Sequence, residues 1–502
     1  MAVTLPDRAG AMLVADPNRP PLDASYATKV ALVLVALCPF IVVTTATTLL
    51  GPVLVVDLHT TKLALQIANG MANAGYAFGA VLAVAFLKRR APRRLFMAYE
   101  GGFVLGCVLT AISSNVGVYG AGRVLQGFFT GLLLVAALPP LVTKFPVAKL
   151  SVTAAVVDVG LFGATTLGPL VGGIAASHHA WRTVFWILGG IGVLALLIAY
   201  LSVEEGRPLD PSGRLDKSAV VLAAAGTFLP FFAAAELTAE PPTSPLVYGT
   251  LIVGVGSLVT LLVVEYRRPD PLTPVRLLAH TFPIIGIVAA MVTGAAAVAL
   301  LELVQTFLVQ SQHVDVLRAG LTLWPQVLGV AVASVVFGAM FRRRGLPLLV
   351  LAGAAVLGAA AIAMATVGLP AGQVVILLVA AAIGLGAGTT VSPGLFLAAL
   401  SCPSSELGPA FALVELLRSE AAFLFAPIVL RISLSHGMSP SAVNHGVSDG
   451  GLVTAIMLGI GAVICVALWV TGGARFQRPD LHGWLDDGRE ALRSPAVAAR
   501  YR

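Results

Sequence analysis

The sequence predicts an all-α polytopic membrane protein with about fourteen transmembrane helices, and three observations carry that prediction. Hydrophobic residues make up 58% of the 502 residues, and the mean hydropathy is +0.94. Charged residues make up only 11%, against about 25% in an ordinary soluble protein. The apolar residues also fall into runs of about 20, the length that crosses a bilayer. A soluble enzyme, a disordered protein and a secreted disulfide scaffold are excluded, because so few charges cannot cover so much apolar surface.

The apolar runs define the expected organisation of the chain. The predicted spans are 29–51, 66–87, 94–113, 117–142, 151–175, 181–202, 217–237, 244–265, 281–309, 316–341, 346–368, 373–400, 409–432 and 450–471. We expect an N-terminal segment at 1–28, a six-helix bundle at 29–202, a linker with two additional spans at 203–280, a second six-helix bundle at 281–471 and a tail at 472–502. Residues 1–27 carry three aspartates and no basic flank before a short apolar core, so we do not expect a secretory signal peptide.

The basic residues predict the orientation of the spans. Counted over alternate loops, sixteen lie on one side: Lys88, Arg89, Arg90, Arg93, Arg94, Lys144, Lys149, Arg207, Arg214, Lys217, Arg267, Arg268, Arg276, Arg342, Arg343 and Arg344. The other side has Lys62, Arg182 and Arg318, with Arg431 at a helix end. Because positive residues stay in the cytoplasm, both termini are expected inside a plasma-membrane protein. The excess of basic residues in the cytoplasmic loops then explains the net charge of +7, and no nucleic-acid partner is expected.

Two basic loops occur at equivalent places in the two predicted bundles. Phe86-Leu-Lys88-Arg89-Arg90 follows span 2, and Phe341-Arg342-Arg343-Arg344 follows span 10. When spans 7 and 8 are set aside as an insertion, the loops take matching positions in two six-helix halves. Repeated halves are typical of secondary transporters.

Span 5 contains the most specific motif, Gly160-Leu-Phe-Gly163-Ala-Thr-Thr-Leu-Gly168-Pro169-Leu-Val-Gly172-Gly173. It resembles the antiporter motif of drug exporters in the major facilitator superfamily. Span 4, with Arg123-Val-Leu-Gln126-Gly127, resembles that superfamily's motif with a buried arginine, and 181–186 resembles the start of span 6 in the fourteen-span drug:proton antiporter branch. Pro271, 319–325, 384–388 and 408–418 fit the same branch, so the resemblance covers nearly the whole chain.

The resemblance implies a major facilitator fold, with two six-helix bundles plus two extra central helices, and proton-coupled export of small molecules. Two departures bear on the coupling. The branch usually has an aspartate in span 1, where this chain has approximately Val43. The loop 87–94 keeps the positive charge of the branch's first basic loop, including Arg93 and Arg94, and lacks its aspartate. The aspartates of the branch's usual proton site and of its usual cytoplasmic gate latch are therefore absent from this sequence.

Charged residues within spans are the candidates for function, because each costs at least about 2.5–3.5 kcal/mol at a helix centre. Arg123 in span 4 is expected either to bind an anion and tune a carboxyl group, or to form a structural ion pair near the outer face. Asp158 in span 5 is a candidate proton carrier. Its alternative is a solvated residue at the cytoplasmic end that pairs with Lys149.

Two further acidic sites lie in the second half. Glu302 in span 9 has Gln305 nearly one turn away, and is either a proton carrier or a residue that reaches water at the outer rim. Glu415 and Arg418 in span 13 are three residues apart, so they share a helix face. Glu415 is a third proton-coupling candidate, and its alternative is an intrahelical pair with Arg418. Glu420 is a weaker candidate on the same helix.

The glycines and Pro169 of span 5 are expected to let the helix pack closely, bend and seal one end of a cavity, or else to be ordinary packing residues. Aromatic residues are expected either to line an apolar substrate cavity or to pack between helices. Those considered are Phe128, Phe129, Phe307, Trp324 and Phe396. Cys38, Cys107, Cys402 and Cys465 are expected to be buried small side chains.

No nucleotide-binding loop, metal-ligand spacing or clustered catalytic group appears, so we expect no cofactor, no metal, no ATP site and no enzyme activity. The leading hypothesis is a monomeric secondary transporter in the lipid bilayer that exports hydrophobic or amphipathic small molecules and draws on the proton gradient. An uncoupled facilitator or a solute exchanger of the same fold is the alternative within this class. A membrane-embedded sensor or lipid-handling protein that kept the fold is the alternative outside it.

Overall fold

A computed structural model describes residues 22, 25–206, 216–268, 271–366, 372–437, 439–497 and 499. Most of the predicted N-terminal segment, part of the linker with Arg207 and Arg214, and the last residues of the tail lie outside these residues. The described residues are helical apart from turns, loops and one isolated bridge between His280 and Ala496. Thirteen of their helices are long and apolar enough to cross a membrane.

The first half consists of six long helices. They are Tyr26–Asp57 (span 1), Lys62–Arg89 (span 2), Pro92–Ala111 (span 3), Val116–Thr143 (span 4), Val147–Ser177 (span 5) and Trp181–Ser202 (span 6). Spans 1, 2 and 4 each begin after a polar N-cap residue. The side chains of Ser25, Thr61 and Asn115 accept hydrogen bonds from the backbone amides of the residues three positions later. The inserted pair is Lys217–Glu236 (span 7) and Pro245–Arg267 (span 8).

The second half repeats this plan. Its helices are Thr281–Thr306 with the π-helical turn Phe307–Ser311 (span 9), Val316–Thr322 and Pro325–Met340 (span 10), Leu346–Ala365 (span 11), Gln373–Ala399 (span 12), Leu407–Leu434 (span 13) and Pro440–Gly472 (span 14). Span 13 brings the number of spans to fourteen. Its four charged residues, Glu415, Arg418, Glu420 and Arg431, set it apart from the other thirteen.

The six helices of each half pack in the same pairs. Span 1 packs on span 5, span 2 on span 4, and span 3 on spans 4 and 6. In the second half, span 9 packs on span 13, span 10 on span 12, and span 11 on spans 12 and 14. Glycine permits close contact at equivalent crossings: a methyl group on Gly127 would lie 1.9 Å from the Ala72 carbonyl oxygen, and one on Gly384 would lie 2.1 Å from that of Gln326. The molecule is therefore two repeated six-helix bundles plus an inserted pair.

The two halves meet along two seams. At the span 5–10 seam, span 5 packs on both segments of span 10 and on span 12. At the span 2–13 seam, span 2 packs on span 13, and span 7 packs over both of them. The loop after span 7 ties to both helices, since Thr238 Oγ1 donates to Gln66 Oε1 at 2.6 Å and Arg431 donates to the carbonyl oxygens of Leu237 and Glu240. Span 8 packs mainly on span 7, and much of its surface is exposed.

One end of the bundle carries the basic loops, and we call it the basic end. Arg342, Arg343 and Arg344 are exposed there, and the Arg93 guanidinium lies 4.1 Å from the centre of the Tyr200 ring. Lys88 and Arg89 are half-buried, and Arg89 donates to the carbonyl oxygen of Ala85. Arg90 and Arg94 are exposed.

The tail folds back over the basic end. Its short helix Leu481–Asp486 contacts span 5, and the fully buried Trp484 donates its Nε1–H to the Cys402 carbonyl oxygen at 2.8 Å. The Leu492 amide donates to the Leu400 carbonyl oxygen at 2.9 Å, and the Thr281 amide donates to that of Pro495 at 3.0 Å. The tail is thus a packed part of the second half that also touches the first.

Three spans differ most from their predictions. Span 1 continues to Asp57 through Pro52, and span 14 begins at Pro440 and not at 450, so both helices extend past their apolar runs. Span 10 is interrupted between Thr322 and Pro325, because proline supplies no amide to continue the helical hydrogen bonds. Hydropathy marks the part of a helix that lies in hydrocarbon, whereas capping residues decide where it ends.

Candidate functional site

A cavity of about 130 Å³ lies between the two halves. Spans 1, 2, 4 and 5 line it from the first half, and spans 9, 12 and 13 line it from the second. Its wall is largely aromatic and aliphatic, with six rings: Phe40, Tyr76, Phe162, Phe396, Phe411 and Phe423. Of the aromatic residues considered in the sequence, only Phe396 lines this cavity. Trp324 is exposed, Phe307 is buried in the second half, and Phe128 and Phe129 pack between helices of the first half.

Glu415 and Arg418 form an ion pair in the cavity wall. Arg418 Nε donates to Glu415 Oε2 at 2.9 Å, and Nη2 donates to Oε1, so the pair is bidentate. Gly294 on span 9 leaves room for the arginine, since a methyl group there would lie 3.1 Å from Arg418 Cγ. The hydroxyl of Tyr76 on span 2 interacts with Glu415 across the span 2–13 seam, and its ring stacks on Phe40 at 5.5 Å. This ion pair therefore connects the two halves.

Asp158 lies in the span 5–10 seam, fully buried. Its Oδ2 is 2.7 Å from Ser334 Oγ on span 10, and Ser392 on span 12 lies next to its side chain. A methyl group on Gly388 would lie 3.2 Å from Oδ2, so a glycine of span 12 leaves space for the carboxyl group. Ser392 lines the cavity and links it to Asp158. Asp158 does not pair with Lys149, whose ammonium lies 5.2 Å from the centre of the Tyr26 ring.

The hydrogen bonds around Asp158 allow two arrangements. Ser334 Oγ is within reach of both Asp158 Oδ2 and the Val330 carbonyl oxygen, at 2.7 and 2.9 Å. A hydroxyl has one proton to donate. If Asp158 is protonated, it donates to Ser334, which donates to Val330. If Asp158 is charged, Ser334 donates to Asp158 and no longer donates to the Val330 carbonyl oxygen. Oδ1 is buried without a partner within the described part of the chain, which adds to the cost of the charged form.

Glu302 lies apart from these groups. It is half-buried in span 9, one helical turn beyond Val298, which lines the cavity. Within the described ranges it has neither a hydrogen-bond partner nor an ion-pair partner. The neighbouring Gln305 is buried, and both of its polar side-chain atoms also lack partners there. The structure does not bring Glu302 together with Asp158 or Glu415.

Arg123 is fully buried inside the first half. Its Nη1 donates to Gln126 Oε1 at 2.6 Å, and its guanidinium lies 5.4 Å from the centre of the Phe40 ring and 5.9 Å from that of Phe185. Gln126 in turn donates to Thr110 Oγ1 at 3.0 Å on span 3. Among the described residues no carboxylate pairs with Arg123, so the structural ion pair offered as its alternative is not formed here. The arginine lies behind the cavity wall, because Phe40 separates the two.

The span 5 motif packs mainly on span 1. Methyl groups on Gly168 and Gly172 would lie 2.6 Å from the Val42 and 2.5 Å from the Ala46 carbonyl oxygens, and one on Gly160 would meet the Leu34 side chain. Gly173 faces span 10 instead, and Gly163 has no atom within 4 Å of such a methyl group. The motif therefore places span 5 against both span 1 and the second half.

Pro169 frees one carbonyl group in the middle of span 5. A proline has no amide hydrogen, so the carbonyl of the residue four before it, Thr165, loses its helical donor. Thr45 Oγ1 on span 1 donates to that oxygen at 2.8 Å. Thr45 and Thr165 both line the cavity, so the carbonyl group freed by Pro169 accepts a hydrogen bond from span 1 in the cavity wall.

Sequence reasoning missed the partners of the buried charges. The four residues are uncharged polar residues within apolar runs, and hydroxyl groups in helices often bond only to their own backbone; they are Tyr76, Thr45, Ser334 and Ser392. Glu100 in span 3 was also missed. Like Glu420, it is buried, and both of its carboxyl oxygens lack partners within the described chain. The one feature of the sequence that could have identified Glu100 is that it is an acidic residue within an apolar run.

Comparisons with known proteins agree with the fold. The family model of the Major Facilitator Superfamily matches residues 32–427. The chain is 27% identical over 344 residues to the uncharacterized MFS-type transporter YubD of Bacillus subtilis, covering 66% of this chain and 65% of that protein. It is 29% identical over 418 residues to the puromycin resistance protein pur8 of Streptomyces alboniger, covering 78% of this chain and 80% of that one.

A solved structure shows the same architecture. The human organic anion transporter MFSD10 (TETRAN) aligns with a TM-score of 0.61 at 15% identity, over 86% of this chain and 99% of that one. At this identity the likeness concerns the fold alone. The repeated halves, the cavity between them and the family match over most of the chain lead to one assignment. The chain is a multi-pass membrane protein that belongs to the Major Facilitator Superfamily of secondary transporters.

Proposed function

We propose that the protein exports hydrophobic or amphipathic small molecules by proton-coupled alternating access. The observation that carries the proposal is the aromatic cavity between the halves, with a buried carboxyl group in one seam and an ion pair in the other. Aromatic and aliphatic walls favour apolar ligands, and a few fixed polar groups orient them. The name of the relative pur8, a puromycin resistance protein, supports an exported drug-like substrate.

Asp158 is the strongest of the three proton-coupling candidates. Its protonated form completes the chain from Asp158 through Ser334 to Val330, whereas its charged form breaks that chain and places negative charge on Oδ1, which has no partner within the described chain. Burial disfavours a charged carboxylate, so separation of span 5 from spans 10 and 12 would favour release of the proton to water. Glu415 would couple transport to protons in a second way: if a substrate displaces Arg418, the Glu415 carboxylate loses its cation and can bind a proton instead. Glu302 remains a candidate one turn beyond the cavity.

The orientation follows from the charges. We infer that the basic end faces the cytoplasm of a plasma-membrane protein, with both termini inside, because positively charged loops are retained there. We also infer that the protein works as a monomer without a bound cofactor, and that it is not an enzyme. Each half contributes to the single central cavity, so one chain supplies both walls.

Substrate-induced proton release tests the coupling. Purified protein in weakly buffered detergent is mixed with puromycin, and the pH change is recorded. Asp158→Asn keeps the shape of the side chain but cannot titrate, so we expect proton release to fall sharply while puromycin still binds. Asp449→Asn, at an exposed position on span 14, is the control and should release protons normally.

The coupling proposal fails if Asp158→Asn, Glu302→Gln and Glu415→Gln all leave proton release intact. An uncoupled facilitator or a solute exchanger is the second candidate. The fully buried Val43 supports it, because that span 1 position has no acid. Transport that persists after collapse of the proton gradient would favour this candidate. A chain that binds ligands and moves none of them would favour the sensor hypothesis.

A further inference from the structure

A second groove lies on the outer surface of the second half, near the basic end. It has a volume of about 170 Å³ and shares no residue with the central cavity. Spans 9, 11 and 14 form its walls, through residues such as Ile285, Leu351 and Cys465, and Phe476 closes it just beyond span 14. Val466 is 50% exposed and Phe476 is 45% exposed, so the groove opens to the surroundings of the bundle.

The groove is lined almost entirely by hydrocarbon. Its polar elements are the Cys465 thiol, which points to the Ile285 carbonyl oxygen at 3.9 Å, and the indole of Trp469. The Trp469 ring packs against Phe282 at 5.4 Å and against Phe476 at 4.5 Å. Aromatic residues of this kind accumulate where a span meets the lipid headgroups. The groove therefore runs from the headgroup level into the hydrocarbon layer.

Exposed arginines flank the headgroup end of the groove. Arg342, Arg343 and Arg344 immediately precede the start of span 11, where Pro347 lines the groove, and Arg475 immediately precedes Phe476. None of these four arginines forms an ion pair within the ranges that the structure describes. The nearest acid in the sequence, Asp480, is engaged in capping the tail helix, where the Gly483 amide donates to it at 3.1 Å.

We propose that this groove binds one acyl chain of an anionic phospholipid, whose phosphate is held by the flanking arginines. A lipid fits the position, because the walls belong to membrane-spanning helices and the opening faces their surroundings. An anionic headgroup fits the charge, since basic pockets between spans at the positive side of the membrane recognise such lipids. The chain's own tail does not occupy the groove, because residues 480–496 are bonded to the ends of spans 9 and 12. The proposal is independent of any transported substrate.

Quenching of Trp469 fluorescence tests the site. The full-length protein is placed in phosphatidylcholine vesicles that contain, at equal low mole fraction, either brominated phosphatidylglycerol or brominated phosphatidylcholine. The chain has five tryptophans, so the contribution of Trp469 is the difference between the parent protein and Trp469→Phe. We expect the brominated phosphatidylglycerol to quench Trp469 more strongly, because one arginine contact enriches an anionic lipid about fivefold.

Three variants separate the site from general lipid contact. A variant in which all four flanking arginines are replaced, Arg342→Gln/Arg343→Gln/Arg344→Gln/Arg475→Gln, should remove the preference for phosphatidylglycerol while both lipids still quench. Leu351→Trp, made in the Trp469→Phe background, fills the groove; its own new indole then serves as the reporter, and the preference should be lost. Arg318→Gln removes an exposed arginine at the opposite end and should change nothing.

Two results would overturn the proposal. One is equal quenching of Trp469 by the two brominated lipids, which would mean ordinary solvation. The other is a preference that survives replacement of all four flanking arginines by glutamine, which would place the anionic lipid elsewhere. Size-exclusion chromatography and circular dichroism identify misfolded variants, and the comparison of the two lipids needs only the parent protein and Trp469→Phe.

Discussion

The two seams join the same two halves with different chemistry. At the span 5–10 seam the contact is a lone carboxyl group, Asp158, against two serine hydroxyls, and neither inserted span packs substantially over it. At the span 2–13 seam the contact is a complete ion pair with a tyrosine, and span 7 packs over it. The first can gain or lose a proton without losing its partners, whereas the second is neutral as a pair.

This difference suggests which seam responds to protons and which to ligands. A buried ion pair is disrupted only by a group that replaces one partner, because an unpaired buried charge is costly. A carboxyl group between hydroxyls needs only a change in protonation to rearrange its hydrogen bonds. The inserted spans 7 and 8 lie at the ion-pair side, so the repeat of the two halves is broken at one seam only.

The largest effect on stability is expected when the ion pair at the span 2–13 seam is broken. Arg418→Met leaves Glu415 buried without its cation, and the free energy of unfolding should fall by about 3–5 kcal/mol. The double variant Glu415→Gln/Arg418→Met should lose less, since no charge is then stranded. Thermal unfolding in detergent measures both variants. Glu204→Gln, from an exposed pair with Lys144 at 3.2 Å, is the control with little effect. An equal loss in the control would contradict the comparison.

A smaller effect is expected from crowding the span 5–10 seam. In Gly388→Ala the new methyl group would lie 2.6 Å from Ala333 Cβ and close to Asp158, and overpacking of this kind costs about 1–3 kcal/mol. The melting temperature should fall, and substrate-induced proton release should change with it. Gly358→Ala places its methyl group in open space on span 11 and should leave both unchanged or slightly raise stability. Equal behaviour of the two variants would mean that the seam tolerates extra volume.

Removal of a single hydrogen bond should have a still smaller effect on stability. Ser334→Ala takes one partner from Asp158, and a typical hydrogen bond contributes roughly 0.5–1.5 kcal/mol. We expect a modest fall in melting temperature and a larger change in proton release, because the hydroxyl connects Asp158 to Val330. Ser334→Thr keeps the hydroxyl and should restore proton release. If Ser334→Ala releases protons normally, Ser334 is only a packing residue.

The smallest effect on the folded bundle is expected from a change in the tail, which lies outside both seams. Burial, followed by the charges of Glu490 and Glu406, raises the pKa of the Cys402 thiol to about 12, so the thiol stays protonated at neutral pH. In a variant whose other three cysteines are alanine, iodoacetamide should label Cys402 slowly. Because thiolate is the reactive form, the rate should keep rising beyond pH 8.5, roughly the pKa of an ordinary thiol. Trp484→Ala uncovers the thiol and should speed labelling, and fast labelling of the parent would show that the tail does not cover it.

Much of the architecture could be predicted from the amino-acid sequence. Apolar runs located fourteen spans, and glycines with Pro169 marked span 5 as a closely packed helix. The charged residues that matter were also visible, because a charge within an apolar run stands out. What could not be predicted was which neighbour each of them meets. Glu415 and Arg418 pair within one helix turn, and their spacing indicated it, whereas the contact of Asp158 with Ser334 joins residues 176 positions apart.

The sequence alone determined that this chain spans a membrane with repeated halves, because hydropathy and the placement of positive charge act locally along the chain. Only the tertiary structure decided that Asp158 lies in a seam against two serines, that Arg123 lies behind the cavity wall without an acid, and that Glu302 stands apart. The physical reason is that the rotation of each helix about its axis is set by how its surface packs on other helices. A single polar residue in an apolar run does not specify that rotation.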